Sequence, residues 1–317
     1  MTTTNSQPVR DVIIIGGGAA GLNAALVLAR ARRSVTVVDA RQPRNAPSAA
    51  AHGMLGNEGI NPLELLDRGR AEAQSYGAEI LTATVDAARP DGQGYLVRLH
   101  DGRELQAAQL VVATGVRDVL PDIEGLSARW GKDVIHCPYC HGWEIRDQTI
   151  GIIATSATSA YQAMLFQQWS QNITLFSNGY EFEAEALDTL AALNIPVIDT
   201  PVAAVEITDD AVTGLRLTDG RTFSLQVVGV SSGKRVNLDG LEALGLETYD
   251  NPEGTFLRAD DTGHTNVAGV WAAGNVMDPE IQISECASQG ARVAVTINNE
   301  LVFSRADAAL AAARQAT

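Results

Sequence analysis

Apolar residues begin in earnest at Val12, within the strand-like run of residues 11–15. A short run closed by Ile13, Ile14 and Ile15 stops at Gly16-Gly17-Gly18. A run of this length, bounded by glycines, predicts a strand buried on both faces. The stretch to about Arg32 has helical spacing, and residues 34–39 form a second strand-like run. Strand, glycine turn, helix and strand together make a βαβ unit. Residues 95–112 alternate between strands and turns, with a turn at Asp101-Gly102, and lead into Val111-Val112-Ala113-Thr114-Gly115. A second βαβ pattern starts near Thr149, with strands at 150–153 and 173–176 around a helix at 159–169. Hairpin-like segments follow, turning at Asp209-Asp210 and Asp219-Gly220. Near Asn266 the chain returns to a pattern like the end of the first unit, Gly269-Val270-Trp271-Ala272-Ala273-Gly274. A long helix is predicted from about Ile283 to Leu301, and the alanine-rich residues 306–312 read as a surface helix or frayed end.

These elements predict an α/β fold with two Rossmann-like, three-layer dinucleotide-binding domains, the second inserted into the first. The expected division is 1–117 and 245–317 for the first domain and 118–244 for the second, with crossings near Arg117 and Gly245. A length of 317 residues gives each domain room for its own core, and 45% hydrophobic against 19% charged residues is a globular balance. A net charge of −15 argues against nucleic acid and anionic membrane surfaces as partners. No apolar stretch approaches the roughly 18 residues of a membrane helix. Residues 1–10 are polar, and the run after them ends too soon for a secretory leader, so a soluble, cytoplasmic protein is expected.

Three cysteines, Cys137, Cys140 and Cys286, are too few for a disulfide scaffold. Cys137-Pro138-Tyr139-Cys140 has the spacing of a redox pair or of half a metal site. No second pair completes a zinc site. His136 and His141 flank the pair, but adjacent His and Cys would strain a tetrahedral arrangement, so no metal is expected.

Gly16-x-Gly18-x-x-Gly21 follows a strand and opens a helix, as a dinucleotide turn requires. The first glycine permits the turn, the second lets backbone approach a pyrophosphate, and the third lets helix and strand pack closely. Phosphates would sit at the helix N-terminus, and Asp39, about 20 residues on, is placed to bind ribose hydroxyls.

Together with Ala113-Thr114-Gly115 and Ala272-Ala273-Gly274-Asn275, this motif resembles the FAD fingerprint of the two-domain flavoprotein disulfide reductases. The cysteine motif narrows the resemblance to the low-molecular-weight thioredoxin reductase family. The resemblance implies FAD held by Gly16, Gly18, Ala19, Ala20, Gly21, Asp39, Ala113, Thr114, Gly115, Gly274, Asn275, Gln282 and Ile283, and a homodimer. It also implies that the last long helix points its N-terminus at the flavin, and that the loop holding Asn45, Ser48 and His52 runs beside it. The family usually has Asp where this chain has Asn275. That Asp hydrogen-bonds the flavin's ribityl chain, and Asn can still do so.

The family's second domain should bind NADPH through Gly-x-Gly-x-x-Ala. The chain instead has Thr155-Ser156-Ala157-Thr158-Ser159-Ala160, and Cβ atoms at Thr155 and Ala157 would take up space that a pyrophosphate needs. Nor does a basic residue follow the next strand, where Phe176-Ser177-Asn178-Gly179 stands in place of the family's arginines. Loss of the NADPH site resembles the dithiol oxidase branch, such as the enzymes of gliotoxin and holomycin pathways.

That branch implies oxidation of a small dithiol to a disulfide, with electrons passing through flavin to O₂ and release of H₂O₂. By resemblance Cys140 faces the flavin and Cys137 exchanges with substrate. The helix dipole and nearby cations would favour a thiolate. His141 is the preferred base, since the family has a catalytic acid directly after the second cysteine, and His136 is the second candidate. Cys286 reads as a buried, inert thiol. Two other readings stay open. One is a thioredoxin reductase-like disulfide reductase acting on a small redox protein with NADPH or another electron donor. The other is a non-catalytic, flavin-bound redox sensor.

Overall fold

The computed structural model describes residues 9–315. Residues 1–8, on which most of the expectation about a secretory leader rests, lie outside that range. Its helices are α1 (Ala19–Arg30), α2 (Pro62–Ser75), α3 (Pro138–His141), α4 (Thr158–Phe166), α5 (Ala184–Ala192) and α6 (Ile283–Gln315). By its contacts the chain divides into two compact units. The first holds residues up to Arg44, then Leu63–Arg117 and residues from Lys234 onward; the second holds Asn45–Pro62 and Asp118–Gly233.

The first unit is built on the apolar run at Arg10–Ile15, whose last four residues are buried, as a strand flanked by neighbours on both sides requires. That strand pairs in parallel with Val35–Asp39 on one edge and Glu104–Val112 on the other. Glu79–Thr82 extends the parallel sheet beyond Val35–Asp39. The long strand Glu104–Val112 serves two partners along its far edge. Its first half pairs antiparallel with Gly94–Leu99, and its second half pairs in parallel with Val270–Ala272. The late apolar run thus joins the sheet begun near the N-terminus, as an inserted second domain requires. One face of the sheet packs Val12, Ile14, Leu28, Val37 and Val111 with Val293 and Ile297 of α6. The other packs Ile13, Ile15, Val97, Leu110 and Leu257. Where α1 meets α6, a Cβ on Gly290 would lie 2.0 Å from the Ala20 carbonyl oxygen, so only glycine permits this approach.

The second unit has a five-stranded parallel sheet in the order Val197–Ile198, Ile173–Phe176, Ile150–Ile153, Val227–Val230, Val134–Ile135. Ile150–Ile153 is wholly buried, and α4 covers it through Ala160, Ala163 and Phe166. A three-stranded antiparallel sheet, Val202–Thr208, Ala211–Leu217 and Thr222–Ser224, packs on the opposite face. Its first hairpin turns at Asp209 and Asp210, both with positive φ, as a two-residue hairpin turn demands.

Two differences from the sequence reading have physical causes. The return crossing falls at Gly233/Lys234 and not near Gly245, because Lys234 and Arg235 pair with Gly254 and Thr255 in the first unit. The loop 45–62, which lies in sequence within the first unit, makes its contacts with the second. Residues 306–312 are the surface helix that the sequence reading allowed, continuing α6 without a break, since alanine-rich sequence sustains a helix without burial. No helix among the described residues is long and apolar enough to cross a membrane.

Candidate active site

The nucleotide turn of the first unit is shaped by what each glycine excludes. Gly16 has φ +112°, and a Cβ there would stand 2.3 Å from the Ala113 carbonyl oxygen. A Cβ on Gly21 would meet the Gly16 carbonyl at 2.0 Å. Around Gly18 nothing lies within 4 Å of that position. Gly18 is also the N-cap of α1, with no side-chain cap and no acidic residue in the first turn. The N–H groups of Ala19, Ala20 and Gly21 therefore face an open space from a helix N-terminus, the setting that attracts phosphate.

Ala113-Thr114-Gly115 adjoins this space, pinned by Asn237, whose side-chain amide donates to the Thr114 carbonyl at 3.0 Å and whose backbone N–H donates to that of Gly115 at 3.1 Å. The Thr114 hydroxyl is buried and has no hydrogen-bond partner among the described residues. A buried polar atom left so is costly unless a ligand completes it. The open glycine cradle and this hydroxyl fit a bound flavin nucleotide.

Asp39 is more constrained than a ribose ligand needs to be. Its side chain is 7% exposed and is bridged by the equally buried Arg70 of α2 at 2.7 Å. Its other oxygen accepts the Arg41 backbone N–H at 2.8 Å, and a Cβ on Gly17 would strike its Cγ. Asp39 thus packs under the glycine turn, held in place by a buried cation. Sequence gave no signal for Arg70, which lies 31 residues away in a helix the apolar pattern did not reveal.

Gly274 donates its N–H to the Gln289 side chain at 2.7 Å, and its φ of +84° requires glycine. The Asn275 side-chain amide donates to the Asp278 and Ile281 carbonyls. Gln282 donates its backbone N–H to Glu285, and Ile283 opens α6. Cys286 is buried beside them, and burial pushes its thiol up to about 11, leaving it protonated at neutral pH.

In the second unit the cysteine pair sits where Val134–Ile135 leaves the sheet. Cys137 caps α3, a single turn begun by Pro138, and Cys140 follows on that turn. The two sulfurs are 2.8 Å apart, so a disulfide closes with little side-chain movement. The turn is seated on Trp169: a Cβ on Gly142 would lie 2.6 Å from its ring, and Tyr139 meets that ring edge-on at 5.6 Å. Gln162 of α4 donates to the His136 carbonyl at 2.8 Å and fixes the backbone entering Cys137.

His141 Nε2 lies 3.3 Å from the Ser48 hydroxyl, either partner able to donate. Burial lowers the His141 pKa; the Cys137 backbone and the Glu144 carboxylate oppose the shift, and His52 adds to it. The ring is therefore neutral at neutral pH, as a proton acceptor must be. His52 Nδ1 pairs with Glu58 at 2.6 Å, and its Nε2 stands 3.6 Å from Glu144. The His52 hydrogen bond and the Gly53 N–H hold Glu58 below the usual carboxylate range. Of the loop residues singled out in the sequence, Ser48 and His52 thus lie against the cysteine turn. Glu58 and Glu144 were not singled out, because their significance depends on a contact between segments about 90 residues apart.

The second glycine-type turn is closed by its own side chains. The Thr155 N–H donates to the fully buried Ser159 hydroxyl at 3.1 Å, and the Thr155 hydroxyl donates to the Ser231 carbonyl at 3.0 Å. Ser156 and Thr158 hydroxyls pair at 2.8 Å. In the following loop, Asn178 accepts the Val202 N–H and Ser177 donates to the Asp199 carbonyl.

A nucleotide cradle on one unit and a vicinal cysteine pair beside a neutral histidine on the other define a dinucleotide-dependent thiol–disulfide oxidoreductase. Residues 10–292 match the pyridine nucleotide-disulphide oxidoreductase family, and the chain belongs to it. A crystal structure of HlmI superposes with a TM-score of 0.92 at 42% identity, over 98% of each chain. An oxidoreductase from Agrobacterium tumefaciens does so with a TM-score of 0.88 at 34% identity, over 93% of this chain and 99% of that one. Thioredoxin reductase tcpT of Claviceps purpurea is 30% identical, over 87% of this chain and 88% of the relative. Thioredoxin reductase sirT of Leptosphaeria maculans is 28% identical, over 91% and 93%. The protein is a thioredoxin reductase-like flavoprotein oxidoreductase.

Proposed function

We propose that this enzyme oxidises a small dithiol to a disulfide through Cys137 and Cys140, using FAD and O₂ and not NADPH. The observation that carries the reading is the closed second turn. A pyrophosphate needs free backbone N–H groups and room at the helix start. At Thr155 the N–H is already taken by Ser159, and side chains occupy the positions where glycines would leave space. The loop after the next strand offers no cation for a 2′-phosphate, since Asn178 and Ser177 are engaged with the backbone. FAD is the flavin of choice because the first turn offers a pyrophosphate cradle, and one Asp39 oxygen keeps acceptor capacity for a ribose hydroxyl.

The chain's own residues then do the following. With the cysteine pair oxidised, His141 takes a proton from the incoming substrate thiol, and the thiolate attacks Cys137 and releases Cys140. The second substrate thiolate attacks the mixed disulfide, frees Cys137 and leaves as the disulfide. A flavin held at the Gly16–Gly21 turn would supply the two-electron acceptor for the reduced pair and the means of passing those electrons to O₂. Per turnover one dithiol and one O₂ give one disulfide and one H₂O₂. Ser48 orients the His141 ring, and the Glu58–His52–Glu144 chain fixes the loop that carries Ser48.

The test is stoichiometry in an oxygen electrode with a model dithiol such as dithiothreitol. O₂ uptake, disulfide formation and peroxide should match one to one to one with no nucleotide added. Dithiol oxidation without oxygen uptake would refute the oxidase reading. NADPH-dependent disulfide reduction would favour the reductase function carried in the curated relatives' names.

A further inference from the structure

Two charged side chains reach His141, from two different segments of the second unit. On its own turn, Glu144 follows three residues later and donates its backbone N–H to the His141 carbonyl at 3.1 Å, so carboxylate and ring ride on one piece of backbone. From the 45–62 loop, which belongs to the same unit, Ser48 meets His141 Nε2 and His52 meets Glu144. Glu58 closes that loop, holding His52 Nδ1 with one oxygen at 2.6 Å and the Gly53 N–H with the other at 2.9 Å. The His52 side chain is only 19% exposed, and its Nε2 stands 3.6 Å from Glu144. Carboxylates only accept, so a ring set between two of them serves both with a proton on each nitrogen.

A base has two states to serve. It must be neutral before it accepts a proton, and afterwards it is a cation that a nearby anion stabilises. Burial and His52 favour the neutral form of His141, while the Cys137 backbone and Glu144 favour the charged one. We propose that His52 and Glu144 are positioning residues for the oxidation, a cation and an anion that act on His141 in opposite senses: His52 keeps the resting ring neutral, and Glu144 stabilises the imidazolium formed when the substrate thiol gives up its proton. One proton moves in that step, from the substrate sulfur to the His141 ring, and neither His52 nor Glu144 exchanges one. The proposal rests on His141 as the base and adds what sets its strength. The other titratable groups on this turn and its flanks are His136, Cys137, Tyr139, Cys140, Arg146 and Asp147, with the Arg146 guanidinium 4.3 Å over the Trp143 ring. The loop adds only Glu58.

The test is a pH titration of the His141 ring, read by NMR of histidine-labelled holoenzyme and assigned by the signal lost in His141→Gln. It runs beside the pH–rate profile of dithiothreitol oxidation. Glu144→Gln removes the anion and should move both the ring titration and the acid limb of the rate to lower pH. His52→Gln removes the cation, leaves Glu144 uncompensated, and should move both to higher pH. At pH 5.5 the Glu144 variant should keep roughly 2-fold more of its plateau rate than wild type, and the His52 variant roughly 2-fold less. The double variant should fall between the two. Opposite movement is the signature, because a loosened loop or turn would expose the ring and raise its titration in both variants. Movement in the same direction, or none in either variant, would overturn the proposal. Should His52→Gln not fold, an unmoved or raised titration in Glu144→Gln would overturn it alone. Ring titrations that move as stated while the acid limb stays in place would instead remove His141 as the base, the reading on which the proposal stands.

Discussion

The molecule contains the same device twice, a strand turning into a helix, and the two copies have opposite interiors. At Gly16–Gly21 the turn is open: nothing lies within 4 Å of where a Gly18 side chain would stand, and no side chain caps α1. At Thr155–Ala160 the turn is filled, its first N–H capped by Ser159 and the Thr155 hydroxyl tied to Ser231. Both copies keep their sheets and cores, so the difference lies in the loop alone. Fold is conserved by buried apolar residues, whereas ligand binding depends on which backbone groups are left unsatisfied. In the second unit, Gln162 of α4 anchors the backbone that enters the cysteine pair.

If the second turn is closed, electrons reach the flavin only through the cysteines. The largest expected effect is therefore from Cys140→Ser. It should retain flavin and lose dithiol-driven bleaching by more than about 10³-fold, because the relay has no second entry. Bleaching at near normal rate in a stopped-flow experiment would mean that electrons have another way in.

His141→Gln should slow dithiol oxidation by about 10²- to 10³-fold. The wild-type rate should fall as pH drops through a value below 6.5, since burial lowers the His141 pKa and only the neutral ring accepts a proton. The variant should lack that acid limb, and a pH–rate profile that keeps it would assign the limb to another group.

Gly18→Ala tests the open turn. A methyl group there meets no protein atom, and Gly18 has a φ of −81° that alanine accepts. The apoprotein should melt like wild type while flavin affinity drops about 10-fold or more, as the methyl enters the phosphate space. Undiminished affinity would place the pyrophosphate elsewhere.

The smallest effect is at the closed turn. Ser159→Ala removes the cap on the Thr155 N–H and should cost about 1–2 kcal/mol in denaturant unfolding, with no gain in NADPH binding. Recovery of NADPH binding would mean that the hydroxyl alone had blocked the site.

The parallel strands were legible because Ile13–Ile15, Ile150–Ile153 and Ile173–Phe176 are short apolar runs bounded by turns, and a buried parallel strand has no other signature. The glycine turn and the cysteine pair were legible because their chemistry is local. The edge strand Glu79–Thr82 and the amphipathic α2 were not, since half-exposed elements carry a weak pattern. The partners were equally hidden. Arg70 on Asp39, Ser48 on His141 and Asn237 on Thr114 join residues 31, 93 and 123 positions apart, and no local spacing encodes such contacts. Asn275 stood in a recognisable motif, but its two partners, the Asp278 and Ile281 carbonyls, meet it only in the folded loop.

The most direct test is an anaerobic titration of the flavin absorbance, first with NADPH and then with a dithiol, followed by admission of air. The closed second turn predicts no bleaching by NADPH, full bleaching by one equivalent of dithiol beyond that needed to reduce the cysteine pair, and peroxide on reoxidation. Rapid, stoichiometric bleaching by NADPH would contradict it.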